Sequence, residues 1–239
     1  MRGLFDAMAF LTRFPVPSAT SELRPAAVPW FPVVGLLVGA IGGLVHWAVA
    51  AAVGPMLGAV AAVAAAVAVT GAFHEDGLAD TFDGLSSIRP VDRQLAIMRD
   101  SRLGTFGVAS LVLVLGARVV LVSGFTPGAP TVLALAWAHA LSRGAVVVVM
   151  AFARPVAAGV GADHVHRMPR PATLAVATAV AAAGWFVGVD GWWIAPILAV
   201  TGASTIWVWA HRRIGGVTGD VLGACQQFGL LGALGALSA

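Results

Sequence analysis

Long apolar runs and short polar segments alternate along the chain with the spacing of a membrane protein. Runs of about 20 mostly apolar residues, the length a helix needs to cross the hydrocarbon layer, lie at 30–53, 55–72, 106–124, 131–152, 172–189, 192–210 and 221–239. The second run is short and rich in alanine. Charged segments at 1–29, 73–105, 153–171 and 211–220 alternate with almost uncharged connections around Gly54, at GFTPGAP (124–130) and at GVDG (188–191). With a cytoplasmic amino terminus, seven crossings place all four charged segments on one side. That side then holds 12 of the 14 basic residues, all arginine, and every acid except Asp190. The pattern predicts an all-α polytopic transmembrane bundle of about seven spans forming a single domain over 1–239, with the carboxyl terminus outside and one cytoplasmic functional face.

The amino terminus, MRGLFDAMAFLTRFPVP, has the apolar character of a signal peptide. Asp6 and Arg13 interrupt its apolar stretch and no small-residue cleavage site follows, so the segment is expected to be retained. Leu4, Phe5, Met8 and Leu11 recur at helical spacing opposite Arg2 and Asp6, which predicts a short helix lying in the membrane interface.

Composition agrees with this reading: 59% of residues are hydrophobic, only 10% are charged and the mean hydropathy is +0.91, whereas soluble domains carry roughly a quarter charged residues. A net charge of +3 without any dense basic run points to membrane topology and away from nucleic acid. The single cysteine, Cys225, lies in an apolar run and reads as a packing residue. Gly35, Gly39 and Gly43 repeat every fourth residue of the first span, a face that suits either packing within the chain or contact between two copies in a homo-oligomer.

One segment stands apart. HEDGLADTFDG, residues 74–84, gathers Glu75, Asp76, Asp80 and Asp83, four of the 11 acids, directly after an apolar run. On a helix, Asp76, Asp80 and Asp83 at i, i+4 and i+7 share a narrow sector, and Glu75 points elsewhere. Three converging carboxylates repel one another, and Mg²⁺ is the natural counter-charge, because it is held by a few carboxylates together with substrate phosphates. Gly77 and Gly84 bracket the aspartates and suit close approach of a large ligand. IMRDSRLGTFG (97–107) adds Arg99, Asp100 and Arg102, and HRRIGGVTGD (211–220) adds Arg212, Arg213 and Asp220. Carboxylates beside guanidiniums describe a metal-bridged diphosphate site suited to phosphoryl transfer. Asp80 or Asp83 would take a proton from an attacking hydroxyl, with His74 as a further candidate.

FLTRFPVP, HEDGLADTFDG, IMRDSRLGTFG, LSRG and GGVTGDVLGA stand in an order that resembles the cobalamin synthases, the adenosylcobinamide-GDP ribazoletransferases, from about residue 8 to the end. The resemblance implies an enzyme of the bacterial inner membrane that joins adenosylcobinamide-GDP to α-ribazole or its 5′-phosphate, releases GMP and uses Mg²⁺. It implies metal or catalytic roles for Asp76, Asp80 and Asp83, with His74 and Asp100 adjoining. It also implies phosphate contacts from Arg99, Arg102 and Arg143, with Arg13 in addition, and has Asp220 bind metal or a ribose hydroxyl, with Gly215, Gly216 and Gly219 letting backbone approach the ligand; Arg212 joins the substrate-binding set from its place beside them. Glu75 and Gln227 depart from the family pattern, so Glu75 is given no catalytic role and the last span no carboxylate role. His164 and His166 lie in a loop, 153–171, that would lie over the corrinoid or merely connect two spans. His46 and His139, inside apolar spans, read as packing residues.

Two other classes compete. Prenyltransferases and CDP-alcohol phosphotransferases share the diphosphate chemistry, but only one dense aspartate cluster is present here. A cation-coupled transporter would place its acids near the bilayer midplane and show repeat symmetry. Here the acids gather at one interface and no internal repeat is found.

Overall fold

The computed structural model describes residues 2–17, 24–156, 168–186 and 191–238. Ten α-helices occur among them: α1 (Arg2–Leu11), α2 (Phe31–Val53), α3 (Pro55–Thr70), α4 (Phe73–Leu85), α5 (Val91–Met98), α6 (Thr105–Ser123), α7 (Ala129–Phe152), α8 (Arg170–Ala182), α9 (Ala195–Ile214) and α10 (Gly219–Leu237). A 3-10 helix, Pro25–Trp30, leads into α2. The described residues form no strand, only an isolated bridge between Pro155 and Val217. His164 and His166 lie outside the described residues.

The fold is an all-α polytopic membrane bundle, and a helix stands at each of the seven expected positions. Four stretches are long and apolar enough to cross a membrane: Pro25–Val53, α6, α7 and α10. The bent pair α3 and α4 makes a fifth if counted as one span. The difference from seven has a local cause in each remaining helix. α8 has only 13 residues, and α9 ends in the polar run His211, Arg212 and Arg213.

α7 is the central helix and is buried along most of its length. α2 reaches it through glycine: a Cβ on Gly35, Gly39 or Gly43 would run into the backbone of His139, Leu135 or Val132. This face is therefore spent on packing within the chain, not on a second copy. Cys225 is fully buried, as expected.

α1 forms where the apolar spacing places it, but its rotation differs from expectation. Asp6 is buried with Ala7 and Leu11, and Phe5 is exposed. Asp6 faces inward because Arg24, at the start of the 3-10 helix, comes within 3.9 Å of its carboxylate.

The elbow between α3 and α4 places the charged segment. Gly71 and Ala72 both adopt the left-handed conformation, at φ 65° and 59°, and the two helices meet at 90°. Gly71 lies flush against the guanidinium of Arg13, whose backbone amide donates to the carbonyl of Val69 at 2.8 Å. A side chain at 71 would be both strained and obstructed. α4 turns off at a right angle to α3 and carries the acidic segment to the end of the bundle where α6 and α10 begin.

Candidate active site

α4 is held at a fixed depth by glycine contacts with the protein itself. A Cβ on Gly77 would stand 2.8 Å from the carbonyl oxygen of Asp220, and Gly223 on α10 faces Gly77 and His74. Gly84 is closed by Met98 and the carbonyl of Gln94 on α5. The two glycines that bracket the aspartates thus admit neighbouring helices, where the sequence suggested a ligand. Their consequence for chemistry is indirect: the crossing of α4 and α10 brings Asp220 beside Asp76 and Asp80.

The three aspartates of one face meet different surroundings. Asp83 accepts from the backbone amide of Gly104 at 2.7 Å and from that of Gly107 at 2.8 Å. Its carboxylate therefore caps α6 from 21 residues upstream and sits at the positive end of that helix. The glycines of LGTFG leave room for it, since a Cβ on either would strike the carboxylate. With both oxygens engaged, Asp83 serves as a structural anchor for the loop that carries Arg99. Asp76 is exposed and Asp80 half-buried. Partial burial, followed by the charges of Asp76, Asp220 and Asp83, pushes the Asp80 carboxyl up to about 7. A positive charge is what this group lacks.

The arginines divide as well. Arg99 is exposed and lies within electrostatic reach of Asp220. Arg102 is bound to Asp100 through Nε at 2.9 Å and through its backbone amide at 3.1 Å. These hydrogen bonds hold the Asp100 carboxyl down to about 2 and leave it committed to the loop. Arg13 is exposed over the elbow, and Arg212 is exposed at the end of α9. Arg213 donates from Nη2 to the carbonyl oxygens of Leu85 and Ser87, closing the carboxyl end of α4. Gly216 packs on the backbone of Arg154, not toward open space, whereas Gly215 and Gly219 both lie open, Gly219 directly after the extended Thr218 that caps α10. His74 is buried on the inner side of α4, its ring 5.3 Å from that of Phe73.

Arg143 lies away from this open cluster. It is 2% exposed, and its Nη1 donates to the carbonyl of His139 at 3.1 Å. It borders a second polar cluster inside the bundle. There Oε1 of Glu75 accepts from Nη1 of Arg118 at 2.9 Å and from Nε2 of Gln227 at 3.0 Å. Arg118 Nη1 also donates to Oε1 of Gln227, Gln227 Nε2 to Oε1 of Gln226, and Gln226 Nε2 to Oγ of Ser142. Ser142 and Arg143 both donate to the carbonyl of His139. The chain of bonds ties α6, α4, α10 and α7 together. Sequence reasoning passed over Glu75 and Gln227. Their signal was the cost of placing Arg118 and paired glutamines in apolar spans, which demands partners.

Among the described residues, no group of three or more histidine, cysteine or acidic side chains is arranged to hold a metal ion. The expected set of Asp76, Asp80, Asp83 and Asp100 is therefore not assembled, because Asp83 and Asp100 are occupied. Asp76 is exposed, Asp80 is half-buried, and Asp220 accepts at Oδ2 from the Thr218 hydroxyl at 3.4 Å. They fit an ion such as Mg²⁺ that takes one or two carboxylates and completes its shell with water and phosphate.

The family model described as cobalamin-5-phosphate synthase matches residues 3–238. Relatives named adenosylcobinamide-GDP ribazoletransferase include that of Leptothrix cholodnii, 41% identical over 95% of this chain and 90% of the relative. Those of Citrobacter koseri and Klebsiella pneumoniae are each 40% identical over 97% of both chains. No solved structure matches. Matched from end to end, with its aspartates and arginines gathered at one end of a membrane bundle, the chain belongs to the cobalamin-5-phosphate synthase family.

Proposed function

We propose that this chain is an adenosylcobinamide-GDP ribazoletransferase, a single-domain enzyme of the bacterial inner membrane that works from the cytoplasmic face. It joins adenosylcobinamide-GDP to α-ribazole or α-ribazole 5′-phosphate, giving adenosylcobalamin or its 5′-phosphate and GMP. The observation that carries the reading is the open set of Asp76, Asp80 and Asp220 beside Arg99 at the charged end, in a chain related over its full length to proteins of that name.

A hydroxyl of the ribazole attacks the cobinamide-side phosphorus of the diphosphate, and GMP departs. Asp80 takes the hydroxyl proton. It is half-buried on the same face of α4 as Asp76 and beside Asp220, where an attacking hydroxyl would meet it. Asp83, the other candidate, has both oxygens bound to amides. Mg²⁺, when bound by Asp76 and Asp220 with Asp80 beside it, would neutralise the phosphate oxygens. Arg99 faces the departing phosphate, with Arg13 and Arg212 at the rim of the same end. The concentration of arginine at this end supports a cytoplasmic orientation by the positive-inside rule.

The test is direct. Purified protein in liposomes, supplied with adenosylcobinamide-GDP, α-ribazole and Mg²⁺, should release GMP and form the corrinoid product. Folded protein that releases none would refute the assignment. Turnover of a prenyl diphosphate or CDP-alcohol in its place would favour the related diphosphate transferases.

A further inference from the structure

Glu75 precedes Asp76 by one residue, so the two side chains leave α4 about 100° apart. One points into the bundle and the other out of it: Glu75 is 6% exposed, whereas Asp76 is exposed. We infer that the buried pair Glu75–Arg118, held by Gln227, sets the rotation of α4 and so presents Asp76 and Asp80 at the open end. Glu75 is in this sense a positioning residue for the reaction, an inference that rests on the function proposed above.

The argument starts from charge. Arg118 and Arg143 place two guanidiniums inside the bundle, and among the described residues Glu75 is the one carboxylate hydrogen-bonded to either. Inside a membrane bundle a guanidinium pairs with a carboxylate or a backbone carbonyl; Arg143 takes the carbonyl of His139 and Arg118 takes a carboxylate. α4 offers four acids, and any of them turned inward would serve Arg118. What singles out Glu75 is the company at Arg118. Gln227 donates one amide hydrogen to Glu75 and the other to Gln226, and its carbonyl accepts from Arg118. Gln226 is fixed in turn by Ser142. The acceptor position is therefore defined by three helices other than α4, and α4 meets it in a single rotation.

A second observation supports the direction of the turn. Gly77 and Gly223 meet where α4 crosses α10. Rotating α4 to bring Asp76 or Asp80 inward would swing a side chain into that crossing, where a Cβ on Gly77 already stands only 2.8 Å from the Asp220 carbonyl. Ion pair and glycine contact thus specify the same rotation from opposite sides of the helix. The inward carboxylate is kept from the metal, and the outward ones are kept from Arg118.

The geometry permits the carboxylate to change places. Glu75 and Gln227 share Arg118 Nη1 and lie 3.0 Å apart, so a carboxylate at 227 facing an amide at 75 keeps the pair and the hydrogen bonds. The experiment uses full-length protein in liposomes and compares wild type, Glu75→Gln and the exchange Glu75→Gln/Gln227→Glu. Turnover is measured with adenosylcobinamide-GDP, α-ribazole and Mg²⁺. In parallel, Asp76→Cys is introduced into each background and labelled with a water-soluble maleimide, the one other cysteine, Cys225, being fully buried.

Glu75→Gln is expected to lower kcat about 100-fold, the scale of a 1 Å misplacement, with KM unchanged and labelling at position 76 slowed. The exchange should restore most of both. Wild-type kcat and labelling in Glu75→Gln would overturn the inference. So would an exchange variant that folds yet stays as inactive as Glu75→Gln, since the carboxylate would then be needed at 75 itself. If Glu75→Gln does not fold, the exchange variant decides alone, and its own failure to fold counts against the inference. Absence of turnover in wild type would strike the proposed function, while the labelling of position 76 would still test the rotation.

Discussion

Glu75 and Asp76 are adjacent in the chain and belong to two different polar regions. The inner region, Glu75 with Arg118, Gln227, Gln226 and Ser142, is closed: each member is buried and bonded to another. The outer region, Asp76, Asp80 and Asp220 with Arg99, is open, and its three carboxylates face a single exposed guanidinium. The comparison separates two uses of polarity in a membrane protein. A cluster buried and bonded across helices orders them, whereas one left facing out awaits a ligand.

Substitutions should separate the two regions. The largest effect is expected for Asp80→Asn, which removes the proton acceptor and should lower kcat about 10³-fold while the melting temperature in detergent hardly moves. A collapse of folding together with activity would merge the two regions and undo the contrast. Gln227→Leu should act in the opposite sense. It strips Glu75 and Arg118 of a shared partner and should cost about 1–3 kcal/mol of stability, read from thermal unfolding in detergent.

Asp83→Ala tests the boundary between them. Loss of the cap on α6 should cost about 1–2 kcal/mol, and the Mg²⁺ concentration for half-maximal rate should stay that of wild type. The same measurement on Asp76→Asn should show a clear rise, and equal rises in both would return Asp83 to the metal site. The smallest effect is expected for Arg102→Ala. Its pair with Asp100 is solvent-exposed, so the melting temperature should be unchanged near neutral pH. The Asp100 carboxyl is depressed to about 2. Whatever the pair contributes is thus present above the ordinary carboxylate range and fades only as pH falls toward 2.

Much of this architecture could be read from the sequence, because the features that specify it are local. Apolar run length located the helices, and the i, i+4, i+7 spacing put Asp76, Asp80 and Asp83 on one face. What spacing does not convey is which element stands opposite. The partners of Asp83 lie 21 and 24 residues away, on a helix start whose glycines leave room for a carboxylate. Gly77 and Gly84 looked like clearance for a ligand because a missing side chain has the same sequence whether a substrate or another helix fills the space. Glu75 and Gln227 are separated by 152 residues, so their relation exists only in the folded bundle. The inward turn of Asp6 depends likewise on Arg24.

The elbow at Gly71 and Ala72 has a consequence for the lipid. α3 has 16 residues, about 24 Å of helix at 1.5 Å per residue, against a hydrocarbon layer of roughly 30 Å. Because α4 turns away at a right angle, it adds nothing to that length. A helix that short is matched by a thinner bilayer or by flanking side chains that reach out of it, and the exposed Arg13 sits at the elbow to do the second. A bulky polar molecule arriving at that end has a shorter path between water and the aspartates than a full-length span would leave.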